Sequence, residues 1–339
     1  RKITDRAIAG TFAATESVDA DDDVRTWVER IVSAVKEAMP DLETELRVRP
    51  DDVAARASVV ATLDRLQTTV RELFDAYPEP GAATFAEKAL RSELQPYLAR
   101  SSLAERALRR PHGRIGTVQI LAQAQIGIPL GDGLVGQLVD EWMLDRPTFA
   151  ALRAMQPEVA RTVLRGVPDD RRARVLVLNV GTGSMVSSLV DGSRGEVTYT
   201  VVDQSPRALA LLDAPSTKPG VEVLPVKTNV VALASGGVEL GLPPQDIIVL
   251  HHLLEVLPER VAVTLIDECR RLLAPDGALV VATLGPSSDR VFLDRVLGWP
   301  TIRRSQHSLD DLLKGAGFTT VTPVSLREPG QLLVALGQA

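Results

Sequence analysis

Two histidines and a glutamate, His251, His252 and Glu255, follow directly on the apolar run Ile247-Ile-Val-Leu250. A histidine titrates near physiological pH, and a nearby carboxylate can fix its tautomer, so this group has the make-up of a general base. The plainer alternatives are that His251 packs beside a bound ligand and His252 caps the next segment. No further strong ligand stands nearby, so no metal site is expected. A second constellation lies upstream in Arg174-Val-Leu-Val-Leu-Asn179-Val180-Gly181-Thr182-Gly183-Ser-Met185. Gly181 and Gly183 let backbone approach a ligand closely, and a helix beginning there offers unpaired N–H groups. Asp203 ends the run Val197-Thr-Tyr-Thr-Val-Val-Asp203, followed by Gln204. An acid about 20 residues beyond a glycine turn suits two ribose hydroxyls, so the pair points to a nucleoside-type cofactor. Capping of a helix from Ser205 is the alternative for Asp203.

Both constellations must be carried by strands and turns. From Arg174 the pattern alternates strand and helix, which predicts a doubly wound, mostly parallel sheet. Strands are predicted at 175–179, 198–202, 222–226, 246–250 and 278–284, with helices at about 185–190, 205–212, 258–273 and 308–316. Thr319–Ser325, Arg327-Glu-Pro-Gly330 and Gln331–Leu336 read as a closing antiparallel hairpin. His251 and His252 then fall at the carboxyl end of a central strand, where such sheets bind ligands. His307 belongs to a helix start.

The first half is helical. Apolar residues at helical spacing predict a helix from Val24 through Met39, ended by Pro40, and a second from about Asp52 to Tyr77, closed by Pro78-Glu-Pro-Gly81. A third runs from roughly Ala83 to Leu103, with Phe85, Leu90, Leu94 and Leu98 inward. The aspartates at Asp19 to Asp23 read as a solvated helix start. Arg109-Arg-Pro-His112-Gly-Arg114-Ile-Gly116 is a basic loop. One helix begins at Pro147, another spans Pro157–Leu164, and the turn Gly166–Asp170 is the expected domain boundary. The expected organisation is a helical lid domain over 1–166 and a Rossmann-like catalytic domain over 167–339.

The 339 residues are 45% hydrophobic, enough for a real core, and carry a net charge of −6. The acidic balance and an aromatic content of 4% argue against nucleic-acid binding. No apolar run reaches bilayer length, and the lone Cys269 excludes an intrachain disulfide, so a cytoplasmic location is the default. The chain opens on Arg1 without a methionine, which suggests a trimmed product with a further domain upstream.

From Arg174 onward the chain resembles the class I S-adenosylmethionine (SAM)-dependent methyltransferases. Val-Leu-Val-Leu-Asn-Val-Gly-Thr-Gly is similar to their first motif, Val201-Val-Asp203 to the segment bearing their ribose-binding acid, and Lys227-Thr-Asn229 to the place of their adenine-binding residue. Asp246-Ile-Ile-Val-Leu-His-His252 is similar to their fourth strand, and Leu272-Leu-Ala-Pro-Asp-Gly277 to the turn before their fifth. A narrower resemblance, over about 100–336, is to bacterial methyltransferases grouped with 3-hydroxypalmitic acid methyl ester synthases. It rests on Arg110-Pro-His-Gly, on Gly131-Asp-Gly-Leu through Trp142 to Arg153, and on Phe292-Leu-Asp-Arg-Val-Leu-Gly-Trp-Pro through Arg304. Some members carry an upstream cyclic-nucleotide-binding domain.

The resemblance implies SAM bound across Asn179–Met185 and Asp203, Asn229 and Val230 beside the adenine, and Arg153 reaching the cofactor carboxylate. A turn role for Asn229 and a surface ion pair for Arg153 are the alternatives. His112, Arg114 and Trp142 are expected to line the acceptor entrance. The implied reaction is O-methylation of a small carboxylic or hydroxylated, lipid-like acceptor, with a homodimer left open. A non-catalytic SAM-binding sensor or scaffold is the rival function. This sequence departs from the common pattern at Asn179, where most relatives have an acid, and at Met185, which replaces a third glycine. Arg114 and Thr117 stand where the narrower group favours an aromatic and an acid, which leaves room for an acceptor other than a fatty acid.

Overall fold

A computed structural model describes residues 23–109, 118–168, 170–212, 218–324 and 332–338. The chain divides into two compact units. One holds the described residues up to Phe149 together with Ser288–Pro300, and the other holds Ala150–Ser287 and the described residues from Thr301 on. The sequence suggests a boundary near 166, whereas the units part at Phe149.

The helical unit opens with α1 (Val24–Val48), whose N-cap Asp23 accepts from Thr26 N–H. Pro40 does not end this helix as the sequence suggests. The apolar stripe continues beyond it through Leu42 and Leu46, and burying both offsets the one hydrogen bond that proline removes. α2 (Val53–Ala76) is capped by Asp52 and carries the expected stripe Val59, Leu63, Leu66, Val70, Leu73. α3 (Pro80–Leu98) starts at Pro80, because proline in the first helical turn costs nothing, and stops short of Leu103. Phe85, expected in the core, is exposed, with the Arg25 guanidinium 5.7 Å from its ring centre. α4 (Ser102–Arg109), α5 (Val118–Ile126) and α6 (Gly133–Leu144) follow. Buried Asp140 joins them, accepting from Ser101, Ser102, Gln123 and the backbone N–H groups of Leu103 and Leu130. The segment 288–300 folds into this unit through aromatic edges: Phe292 meets Trp142 at 5.4 Å and Trp299 meets Phe149 at 5.5 Å. No described helix is long and apolar enough to cross a membrane.

α7 (Pro147–Gly166) is one helix with Pro157 inside it, not the two that the sequence suggests. Buried residues on both sides of the proline, Phe149, Leu152, Met155, Val159 and Val163, keep the stripe continuous. Beyond it the strands are β1 (Ala173–Leu178), β2 (Val197–Asp203), β3 (Val221–Lys227), β4 (Gln245–His251), β5 (Leu273–Leu284), β6 (Thr320–Pro323) and β7 (Leu332–Gln338). They form one sheet in the order β3-β2-β1-β4-β5-β7-β6. β1 to β5 pair in parallel, while β7 runs antiparallel to both β5 and β6. This is the Rossmann-like sheet with a closing antiparallel pair that the sequence predicts; the turn 325–331 lies outside the described residues. The connecting helices are α8 (Ser184–Gly192), α9 (Pro206–Leu209), α10 (Val230–Ala234), α11 (Glu259–Leu272) and α12 (Gln306–Gly315). α10, five residues long, is too short to leave a periodic signal in sequence.

One face of the sheet packs Leu176, Leu178, Ile248, Leu250, Leu279 and Val281 against α11 and α12. Cys269 lies in this layer, fully buried, and burial drives its thiol pKa far upward. The thiolate is the reactive form, so the folded protein is expected to show no thiol to Ellman's reagent at pH 8 and one after denaturation. A fast-reacting thiol in the native state would contradict this packing.

Candidate functional site

The register of the central strands builds the site. Leu178 pairs with Val202 on one side and Leu250 on the other. The next residue on each strand therefore emerges at the carboxyl edge in a row: Asp203, Asn179, His251. Strand order reverses between β1 and β4, so this row sits at the switch point where open parallel sheets bind ligands.

Asp203 is 7% exposed, and each carboxylate oxygen is already engaged. Oδ2 accepts from Val180 N–H at 3.0 Å and Oδ1 from Ser205 N–H at 2.7 Å. These two bonds aim the carboxylate without exhausting it, because a carboxylate offers about four lone-pair directions. Ser205 itself caps α9 through Ala208 N–H, so the capping role considered for Asp203 is filled.

The glycine turn is held in left-handed backbone. Asn179, Gly181 and Gly183 have φ of 81°, 61° and 79°. Asparagine is the side-chain-bearing residue type that tolerates this region best, which accounts for its presence at the first of these positions. A Cβ on Gly181 would stand 3.6 Å from Gln156 Nε2 and 3.7 Å from His251 Cε1. The turn thus passes between a glutamine and an imidazole, with Met185 buried behind it at 0% exposure. Gly183 is the N-cap of α8 and has no side chain to cap it, so the helix start suits an anionic or polar ligand group. These features fit a nucleoside cofactor.

His251 is fully buried, and its Nε2 lies 2.8 Å from the Asn179 carbonyl oxygen. A carbonyl only accepts, so Nε2 carries the proton and Nδ1 is a bare lone pair, with no partner among the described residues. The Asn179 amide returns a bond to the His251 carbonyl at 3.4 Å. Burial first, and the adjacent His252 second, lower the His251 pKa to about 3, while the Asn179 carbonyl opposes them. A ring this reluctant to ionise, with its N–H committed, is suited to support rather than proton transfer. Its reluctance has a consequence for folding. The unfolded chain takes the proton first as pH falls, so stability is expected to drop by roughly 1.4 kcal/mol per pH unit from about pH 6.5 towards pH 3. His251→Asn should lower stability at pH 8 yet flatten this slope in urea titrations; an unchanged slope would assign the acid sensitivity elsewhere.

His252 differs. It has φ of 54° and is 8% exposed, and its Nδ1 faces Glu255 Oε1 at 3.4 Å. The carboxylate accepts, so Nδ1 holds the proton and the buried, unpartnered Nε2 presents a lone pair. Glu255 is steadied on its other side by Thr283 Oγ1 at 3.3 Å, and through its carbonyl by Ile302 N–H at 2.8 Å. Arg304, 4% exposed, donates to the Leu254 carbonyl and to Glu259, and so holds the backbone beside Glu255. The His252 imidazole, the Glu255 carboxylate and the Thr283 hydroxyl stand in series.

Of the remaining expected residues, Gln204 is exposed beside Asp203, and Val230 is buried at the start of α10. Asn229 is exposed and caps α10 through Val231 N–H at 2.9 Å, the turn role weighed for it. Arg153 on α7 is half-buried. Trp142 belongs to the helical unit, 2% exposed, its indole N–H donated to Asp64 and its ring met by Arg146 and Phe292. His112 and Arg114 lie outside the described residues. Gln156 is the site residue that sequence reasoning passes over. Its signal is a polar side chain on the buried face of a helix, between Met155 and Val159, and its partners are Thr182 and Ser184.

Residues 176–281 match the family of methyltransferase domains. Among solved structures, a possible exported protein from Bordetella parapertussis is 15% identical with a TM-score of 0.54, covering 77% of this chain and 98% of that one. The methyltransferase SibL is 15% identical with a TM-score of 0.45, covering 92% and 95%. The N-methyltransferase NodS from Bradyrhizobium japonicum, in complex with S-adenosylhomocysteine, is 19% identical with a TM-score of 0.41, covering 66% and 98%. No curated protein matches the chain.

Proposed function

We propose that this chain, whose residues 176–281 match a methyltransferase domain, binds SAM and methylates an oxygen of a small-molecule acceptor, a carboxylic or hydroxylated lipid-like compound. When bound, the cofactor supplies an electrophilic methyl group on a sulfonium. The chain's own contribution is alignment and control of protons. The Asp203 carboxylate accepts from the ribose hydroxyls, the turn Asn179–Gly183 and the start of α8 receive the amino-acid end, and Arg153 offers a cation to its carboxylate. Asn229 and Val230 stand by the adenine. His252 Nε2 takes the proton of a hydroxyl acceptor as the new bond forms, and Glu255 stabilises the imidazolium that results. His251 supports the turn from beneath.

The observation that carries this reading is the row Asp203, Asn179, His251 at the switch point, with the His252–Glu255 pair beside it. The test is incubation with methyl-labelled SAM and the small-molecule fraction of a bacterial extract. Label in an ether or ester product is the expected result. Tight SAM binding without transfer would instead favour a sensor or scaffold, and absence of SAM binding would overturn both.

A further inference from the structure

We propose that Gln156 is a positioning residue that makes the glycine turn selective for the amino-acid end of its cofactor; the proposal rests on the SAM reading above. Gln156 is 3% exposed on α7. A buried amide is costly unless both its ends are satisfied. Its Nε2 donates to Thr182 Oγ1 at 3.2 Å, and its Oε1 accepts from Ser184 Oγ, with Thr182 Oγ1 3.4 Å away. These bonds reach across 26 and 28 residues of sequence and fall on the two hydroxyls that flank Gly183.

That choice of partners has a consequence at α8. Serine and threonine at a helix start ordinarily turn their oxygens onto the helix's own first N–H groups. Here Gln156 engages both hydroxyls, and the N-cap of this nine-residue helix is Gly183, which has no side chain to turn onto the first N–H groups. Gln156 also bounds the turn sterically, since its Nε2 would touch a Cβ on Gly181. One helical turn earlier, on the same face of α7, Arg153 is half-buried and makes no hydrogen bond or ion pair among the described residues. An amide that orders the turn, a helix start with glycine at its N-cap and a cation one turn away form a receiving surface for a carboxylate. An adenosine moiety has nothing for it to receive.

The test compares two ligands that share adenosine, S-adenosylhomocysteine and 5′-methylthioadenosine, the second lacking the amino acid. Calorimetry is run on the wild-type chain, Gln156→Leu and Gln156→Glu. Gln156→Leu is expected to weaken S-adenosylhomocysteine about tenfold or more while changing 5′-methylthioadenosine less than about threefold. Gln156→Glu keeps acceptor oxygens for both hydroxyls and so preserves the fold, but sets a negative charge beside the incoming carboxylate. It is expected to show the same selective loss. Equal losses for both ligands, or no loss in either variant, would overturn the proposal. A wild-type chain that binds neither ligand would remove the cofactor assignment, and the proposal with it.

Discussion

Replacing His252 by alanine is expected to cut methyl transfer to a hydroxyl acceptor by about 100- to 10,000-fold, the usual range for loss of a general base. SAM affinity should stay within about threefold of wild type, because the ring faces Glu255 rather than the Gly181 turn. Glu255→Gln should give a smaller loss of turnover, since an amide cannot stabilise imidazolium as a carboxylate does. The measurements are single-turnover rates with the acceptor recovered from the labelling experiment, and calorimetry for SAM. Undiminished transfer by His252→Ala to an acceptor with an ionisable hydroxyl would remove the base. The same result with a carboxylate acceptor is expected, because a carboxylate is already ionised near neutral pH.

Asp203→Ala is expected to have the largest effect on binding. Hydrogen bonds to a charged acceptor contribute about 1.5–3 kcal/mol each, so losing two ribose contacts should raise the Kd for SAM by roughly 100-fold or more. The variant also strips partners from Val180 N–H and Ser205 N–H. Asp203→Asn, which keeps one carbonyl oxygen, should fall between the two. Calorimetry decides it, with thermal melts to separate lost binding from lost fold; an unaltered Kd in a folded Asp203→Ala chain would sink the ribose assignment.

The parallel sheet was legible because its strands β1, β2 and β4 are buried on both faces and read as mostly apolar runs, and because the turn and the acid that ends β2 keep a fixed spacing. Prolines misled. Pro40 reads as a helix end and Pro157 as a helix start, yet each lies inside a helix whose apolar stripe resumes beyond it. A local rule that weighs one lost hydrogen bond gave way to burial spread over several turns. Segment 288–300 was legible as a motif but not as part of the helical unit, since its attachment through Phe292, Trp299 and Asp289 is made of long-range contacts. At the site, Asp203 and the histidines stood out as polar residues at strand ends. Gln156 did not, because its partners are 26 and 28 residues away and nothing periodic links them.

The bonds exchanged by Asn179 and His251 bear on how this turn could be altered, in evolution or by design. An aspartate at 179 would tolerate the left-handed backbone, but its carboxylate would face the His251 carbonyl at the 3.4 Å now bridged by an amide N–H. Changing His251 alone would strand the Asn179 carbonyl in a buried edge. Each single step is thus downhill in fitness while the double step need not be, so the two positions form an epistatic pair. A lineage that carries Asn179 is held to it for as long as it keeps His251, and a library that varies either position alone would sample only the losing side of that trade.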